Sequence, residues 1–358
     1  MSGISAQLVK KLRDLTDAGM MDCKKALVEV AGDLQKAIDF LREKGLSKAA
    51  KKSDRIAAEG VVALEVAPDF KSAMMVEINS ETDFVAKNEG FKELVKKTLE
   101  TIKAHNIHTT EELLKSLLDN KPFEEYLHSQ IAVIGENILV RKIAHLKAPS
   151  SHIINGYVHS NARVGVLIGI KYDNEKNAPK VVELARNIAM HAAAMKPQVL
   201  DSKDFSLDFV KKETLALIAE IEKDNEEAKR LGKPLKNIPT FGSRIELSDG
   251  VLAHQKKAFE DELKAQGKPE KIWDKIVPGK MERFIADNTL IDQRLTLLGQ
   301  FYVMDDKKTI AQVVADCSKE WGDDLTITDY VRFELGEGIE KKAENFAEEV
   351  ALQMEVRF

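Results

Sequence analysis

The chain is poor in the features that mark several common functions. Of its 358 residues only Cys23 and Cys317 are cysteines, and no Cys-x-x-Cys pair occurs. A disulfide framework or a zinc site is therefore not expected, and a reducing cytoplasm suits such a chain. Aromatic residues make up 6% of the sequence and the formal net charge is −5. It thus offers neither a base-stacking platform nor a basic field for phosphates, which argues against direct nucleic-acid binding. No apolar run approaches the roughly 18 residues of a membrane span, and residues 1–15 are amphipathic and charged rather than signal-like. The eight histidines are scattered, without a His-x-x-x-His pair, and neither a serine-centred elbow nor a Gly-Lys-Ser/Thr phosphate loop appears. Neither a cofactor nor covalent catalysis is expected.

What the chain does have is 44% hydrophobic and 32% charged residues over a length sufficient for two or three domains. Leu8, Leu12 and Leu15 fall at helical spacing, as do Leu34, Ala37, Ile38 and Leu41. Asp33 suits an N-cap, Gly45 a helix stop, and Asp22 a cap for a middle helix carrying Ala26, Leu27 and Val30. Between the first two helices, Gly19 permits a tight turn before Met20 and Met21. Two adjacent methionines do not both fit one small core. Either Met20 is core and Met21 incidental surface, or both form an adaptable apolar patch for a partner. Residues 47–55 are basic and Ala-rich, and read as a solvated, in part helical, tether.

From Gly60 the period changes to two. Residues 61–66 and 73–78 read as strands joined at Pro68-Asp69. A polar loop follows, Asn79-Ser80-Glu81-Thr82-Asp83-Phe84-Val85-Ala86-Lys87-Asn88-Glu89-Gly90, and then a helical pattern from Phe91 to Ile102. This strand-to-helix join carries a carboxylate, Asp83, beside a large ring, Phe84. Two readings stand: Thr82 or Asp83 caps a helix while Phe84 and Val85 fill the core, or the loop presents working residues. Thr109 to Glu112 forms a capping box with Ile107 upstream. Residues 123–134 are helical in pattern and 138–143 read as a strand. The plan then restarts, with strands at 154–159 and 164–170 around Asn161-Ala162-Arg163 and a helix through Val181, Leu184, Ala185, Ile188, Ala192 and Met195. Its own join, residues 173–179, has no Asp-Phe pair. The architecture therefore does not require one, and Phe84 is expected to be substantially exposed with Asp83 beside it.

Residues 207–230 and 252–265 read as long amphipathic helices of a projecting hairpin. Gly232-Lys233-Pro234 and Gly267-Lys268-Pro269 resemble each other, which suggests an internal duplication or an elongated arm. A helix at 309–320, a strand at 325–333 joining the second sheet, and an end helix through Phe346, Val350 and Met354 complete the chain. The fold class is α+β. It comprises a three-helix bundle (1–46), a linker (47–58), two related hairpin-plus-helices core subdomains (59–148 and 149–335), an enlarged helical arm at about 207–284, and a C-terminal module (336–358). Glu81 and Asp83 are too few for a dedicated calcium site, so no metal site is expected.

Two segments carry a resemblance. Thr82-Asp83-Phe84-Val85-Ala86-Lys87-Asn88 resembles the signature loop of bacterial elongation factor Ts, the nucleotide-exchange factor of elongation factor Tu. Leu12-Arg13-Asp14-Leu15-Thr16-Asp17-Ala18-Gly19-Met20-Met21-Asp22-Cys23-Lys24-Lys25-Ala26-Leu27 is similar to that family's amino-terminal signature. The resemblance implies a ubiquitin-associated-like bundle that grips the nucleotide-binding domain of GDP-bound elongation factor Tu through Arg13, Met20, Met21 and Lys24. It implies a further contact at His159, and a loop, Thr82, Asp83, Phe84 and Val85, that displaces magnesium on the partner by intruding between its helices. It also implies that the last helix leans on the partner, where packing on the chain's own core is the alternative. The family commonly has one Gly-Lys-Pro segment, so the arm departs from it, and a homodimer through the arm stays open. Competing readings are a ubiquitin-associated-type adaptor without exchange activity, an enzyme with a metal at Glu81 and Asp83, and an RNA-binding factor.

Overall fold

The computed structural model describes residues 4–16 and 18–340. They form two compact units. The first takes residues up to 147, 156–165 and those from 331, and the second takes 148–155 and 166–330. The end helix expected beyond residue 340 lies outside the described residues, as does Asp17.

In the first unit, α1 (Ala6–Thr16), α2 (Met20–Glu29) and α3 (Leu34–Ala50) pack around Val9, Leu12, Cys23, Ala26, Leu27 and Ala37. Asp33 caps α3 by accepting from Lys36 N at 3.1 Å. Leu8, Leu12 and Leu15 all lie in α1, with Leu15 exposed. Two local expectations need correction. Asp22 caps nothing; it lies in the first turn of α2, and Lys48 at 3.1 Å and Lys44 at 3.2 Å hold its carboxyl below the usual range. Gly45 does not stop its helix: α3 runs through it to Ala50, because a glycine ends a helix only where the backbone turns left-handed. A Cβ at Gly45 would lie 3.8 Å from Ala132 Cβ, so α3 packs closely on a later helix at this point.

Strands β1 (Glu59–Val66) and β2 (Ser72–Ser80) form an antiparallel hairpin. After it come α4 (Glu89–His105), α5 (Thr110–Lys115), the small β3 (Leu117–Leu118) and β4 (Lys121–Pro122) pair, α6 (Phe123–Ile134) and β5 (Ile138–Lys147). The sheet order is β1-β2-β5, with a bulge at Glu77/Ile78. Alternation sends Met74, Val76 and Ile78 to one face, where they meet Phe91, Leu94, Phe123, Ile131 and Val140. Thr109 and Glu112 make the expected capping box, with Ile107 buried beside it.

The segment read as a solvated, in part helical, tether is helical to Ala50 and largely exposed, but it is fixed at several points. Ala49 is buried in this core cluster, Arg42 pairs with Glu125 at 2.6 Å, and the Asn137 amide donates to the carbonyls of Ser53 (3.3 Å) and Arg55 (2.8 Å). On the other face of β2, fully buried Glu77 accepts from Arg141 at 3.0 Å and from Gly336 N at 2.9 Å.

Strands β6 (His152–Val158) and β7 (Val164–Lys171) form the next hairpin, and α7 (Ala178–Met195) follows. The second unit then carries α8 (Leu207–Arg230), α9 (Asp249–Ala265), α10 (Trp273–Asp287), α11 (Leu290–Leu295), a β8 (Phe301–Tyr302) and β9 (Asp305–Thr309) hairpin, and α12 (Ile310–Trp321). Strand β10 (Thr326–Glu334) completes a sheet ordered β10-β7-β6. In both sheets the second hairpin strand is central and a strand arriving after helices covers its free edge.

The helical hairpin is α9 with α10 rather than α8 with α9. Lys280 meets Glu262 at 2.6 Å and Phe259 meets Phe284 edge-on at 6.4 Å. The repeated Gly-Lys-Pro also has a local cause. Gly232 (φ 63°) and Gly267 (φ 68°) end α8 and α9 in the left-handed conformation. In each case the following lysine N–H reaches back five residues, Lys233 to Ala228 O (2.9 Å) and Lys268 to Leu263 O (3.0 Å). This is one glycine-based helix end used twice, with a proline that cannot continue the helix. Downstream the segments diverge, one without helix to residue 243 and the other entering α10.

Candidate functional site

The join between β2 and α4 is anchored at both ends. Ser80 Oγ donates to Thr82 O at 2.9 Å, and Thr82 donates twice to the Glu136 carboxylate, from N at 2.9 Å and from Oγ1 at 2.6 Å. Glu81 accepts from Asn137 N at 2.6 Å and faces Arg55 at 3.5 Å. Hydrogen bonds to ionised groups are about twice as strong as neutral ones, so these ties hold the loop root firmly. At the far end Val85 is buried in the core, residues Val85–Lys87 make a single 3-10 turn, and Asn88 caps α4 by accepting from Gly90 N at 2.7 Å.

Between those anchors the chain turns outward. Phe84 is 76% exposed and the Asp83 side chain 60% exposed, the latter 3.6 Å from Lys87 Nζ. The Lys87 ammonium also lies 5.8 Å from the Phe84 ring centroid. The packing reading is therefore half met: Val85 fills the core, Phe84 does not, and neither Thr82 nor Asp83 caps a helix. Leaving a phenyl ring in water forgoes on the order of 2 kcal/mol of burial, which a corner-filling residue would have collected. Glu81 is already engaged with Asn137 and Arg55, which leaves Asp83 alone of the two carboxylates proposed for a metal.

A second exposed surface lies on the bundle. The turn before α2 is held from inside: Thr16 Oγ1 donates to Leu12 O at 2.7 Å, and Cys23 Sγ–H to Ala18 O at 3.5 Å. Burial, first of all, pushes the Cys23 thiol pKa up, so this sulfur packs and donates rather than reacts. Gly19 has φ −57° and ψ 142°, open to any residue, so the turn does not depend on a glycine there. Met20 and Met21 are 55% and 64% exposed, so of the two readings an exposed apolar pair holds and a core Met20 does not. Leu15, Arg13 and Lys24 are exposed on the same two helices.

His159 is exposed at the β6–β7 turn, its Nδ1 3.2 Å from Tyr157 Oη. The same turn touches β1, since Val62 N donates to Ala162 O at 2.7 Å and Arg163 pairs with Glu59 at 2.5 Å. Glu59 stands opposite Ser80, where the Phe84 loop begins. Arg163, on the turn that carries His159, thus meets β1 at the end where the loop begins, and all the sequence-predicted site residues fall in the first unit. A further exposed apolar cluster was not anticipated: Phe301, Val303 and Met304 at the β8–β9 hairpin. Its signal was present as two apolar residues directly before Asp305-Asp306 at a turn.

Residues 81–337 match the sequence model of the family described as elongation factor TS. The chain belongs to the elongation factor Ts family. The match spans the Phe84 loop and His159, and ends at Glu337. Elongation factor Ts of Helicobacter pylori (strain ATCC 700392 / 26695) is 98% identical over 354 residues, 99% of this chain and all of that protein. Over the same span the elongation factor Ts of Helicobacter acinonychis is 92% identical and that of Wolinella succinogenes 65%. The relatives therefore extend the likeness across the bundle. The family makes this chain a translation elongation factor of protein biosynthesis, an exchange factor. No helix among the described residues is long and apolar enough to cross a membrane.

Proposed function

We propose that the chain binds elongation factor Tu in its GDP-bound state and promotes GDP release by disturbing the magnesium and phosphate site, so that GTP can load. A guanine nucleotide is held by backbone N–H groups of a phosphate loop and by a magnesium ion bridging phosphates and side chains. A protein that loosens it must bind the partner and the nucleotide antagonistically, and that coupling is reciprocal: incoming nucleotide expels the factor in turn. Turnover follows without a covalent step.

The observation that carries this reading is the outward Phe84 on a loop fixed at both ends. A wedge transmits force only if its base does not yield, and the Thr82–Glu136 pair and buried Val85 supply that base. Burying the ring between partner helices supplies on the order of 2 kcal/mol towards prising apart the elements that hold magnesium. Asp83 places a carboxylate where it upsets the electrostatics of the magnesium ligands. The rest of the cost falls on a wide interface. The exposed Met20 and Met21 with Arg13 and Lys24, His159, and the apolar tip at Val303 and Met304 are surfaces suited to it.

The like strand orders of the two sheets support reading residues 59–148 and 149–335 as related subdomains. Free cysteines, one buried, suit the cytoplasm. A homodimer through the arm would draw on Leu215, Leu231 and Leu235, all exposed. The adaptor reading needs a bundle that works alone, whereas Ala49 of α3 is part of the first sheet's core.

Stopped-flow release of a fluorescent GDP from elongation factor Tu tests the proposal. The full chain should accelerate release, and Phe84→Ala should lower the accelerated rate by about 30-fold, the kinetic equivalent of ~2 kcal/mol. An unchanged rate in the variant removes Phe84 from the mechanism.

A further inference from the structure

The second unit buries a histidine that the exchange reading does not use. His191 lies on the inner face of α7 with no exposed surface, among Ala189, Ala192 and Ala193. Its Nε2 lies 3.1 Å from Gln300 Oε1, and its Nδ1 accepts from Val303 N at 3.2 Å. The Gln300 amide nitrogen is already committed to two carbonyls, Met195 O at 3.1 Å and Arg294 O at 2.9 Å. Only the amide oxygen is left to face His191, so the imidazole must carry its proton on Nε2 and offer a lone pair at Nδ1. Val303 is the first residue of the two-residue turn between the paired Tyr302 and Asp305. Tyr302 is buried with its ring centroid 5.9 Å from that of His191, and its hydroxyl donates to Met304 Sδ at 3.2 Å. Two side chains thus pull on the turn from below while Val303 and Met304 stand exposed above it.

We propose that His191 is a positioning residue: a latch, set in one tautomer by Gln300, that holds the Val303–Met304 tip in its outward geometry. The ring reads the turn through a single backbone hydrogen bond, which no apolar side chain of equal size can replace. The groups packed against it are the Gln300 amide, the Tyr302 ring and the Val303 N–H; of these Tyr302 alone titrates, and burial raises its phenol further. Burial likewise lowers the His191 pKa from its ordinary 6.5, opposed by the Gln300 bond. The native state therefore binds fewer protons than the unfolded chain just below pH 6.5. The latch's contribution to stability is fully present above that pH and declines as pH falls towards the native value. Protonation would set an N–H at Nδ1 against the Val303 N–H.

The consequence for nucleotide exchange rests on the proposed function, in which the tip is a partner contact; the latch itself does not. The test uses the full chain. A long-range nitrogen-15 spectrum should show the His191 proton on Nε2 near neutral pH. His191→Phe should speed amide hydrogen exchange at Val303 by tenfold or more with α7 amides little changed. His191→Asn, whose amide oxygen stands near the Nδ1 position, should restore most of the protection. In fluorescent-GDP release, His191→Phe should raise the factor concentration needed for half-maximal effect several-fold and leave the maximal rate alone. A proton on Nδ1, or Val303 protection unaltered in His191→Phe, overturns the latch. The spectrum needs only the wild-type chain, so it decides even if the variant does not fold. Faster Val303 exchange with unaltered GDP release supports the latch and removes the tip from the proposed interface.

Discussion

The chain passes from a hairpin into a helix twice, and the two joins solve the same geometric problem with opposite surfaces. Each uses one 3-10 turn, Val85–Lys87 after β2 and Glu175–Asn177 after β7. Each sinks one side chain of that turn, Val85 or Asn177. In the second join every specific contact is internal. The Asn177 amide donates to Trp321 O at 3.3 Å and to Asp323 Oδ2 at 2.8 Å, and Asp323 also accepts from Asp173 N at 2.7 Å. Tyr172, fully buried, donates to Glu175 at 3.0 Å. The first join is equally well tied at its root, yet it holds a phenyl ring out in water. Since the second join closes the same turn without an exposed ring, Phe84 is not what the turn needs to form. That contrast is why a function is assigned to Phe84 and none to Asn177.

The widest separation between the joins should come from removing these two side chains. Phe84→Ala should cost about 30-fold in GDP release and leave the unfolding midpoint unmoved, because an exposed ring contributes little to stability. Asn177→Ala should do the reverse. It strips a buried donor from a carbonyl and a carboxylate, which costs about 1–3 kcal/mol, read from denaturant midpoints, with release unaltered at temperatures where the variant is folded. If Asn177→Ala slows release while stability holds, the joins are not the opposites drawn here.

Much of this was legible because it is local. Asp33 and Thr109 with Glu112 are caps whose chemistry is complete within four residues, and each begins the helix it was expected to begin. The exposure of Phe84 was legible only by comparing the joins. Misreadings came where a distant partner decides. Gly45 looks like a stop in isolation, but α3 continues and packs on α6. The pairing of α9 with α10 depends on Lys280 with Glu262 and Phe259 with Phe284, contacts that periodicity does not encode. Likewise, nothing in the sequence near His191 points to Gln300, 109 residues away. Met20 could not be placed from its neighbours alone, because whether the bundle has room for it depends on a core built from all three helices, Val9, Leu12, Cys23, Ala26, Leu27 and Ala37.

A smaller effect should come from loosening the first join at its root. Thr82→Val keeps the side-chain shape and the backbone donor but removes the 2.6 Å hydrogen bond to Glu136. With the loop less firmly held, the wedge should deliver less of its burial energy. Release should slow by about fivefold, the worth of ~1 kcal/mol, and amide exchange at Thr82 should quicken. A release rate equal to wild type would mean that the loop need not be stiff, and that Phe84 works by binding alone.

The gentlest probe is acid, and its mark on the second join runs through Asp323. Burial raises the Asp323 carboxyl, but the Asn177 amide and the N–H groups of Asp173, Asn174 and Asp324 outweigh it and hold it below its ordinary 3.8. A carboxylate lowered in the native state stabilises it above the unfolded value, and that stabilisation is lost as pH falls through the native one. Amide protection at Asp173 and Asn174 should therefore fade first as pH drops below about 3.8, ahead of global unfolding. Asp323→Asn should remove that pH dependence and weaken the protection at every pH. The Thr82 amide answers to Glu136 instead, so its protection should not respond to the Asp323 substitution. Coupled loss at both joins would show that they do not open independently, and the contrast between a packed join and a presented one would then need a shared unfolding step behind it.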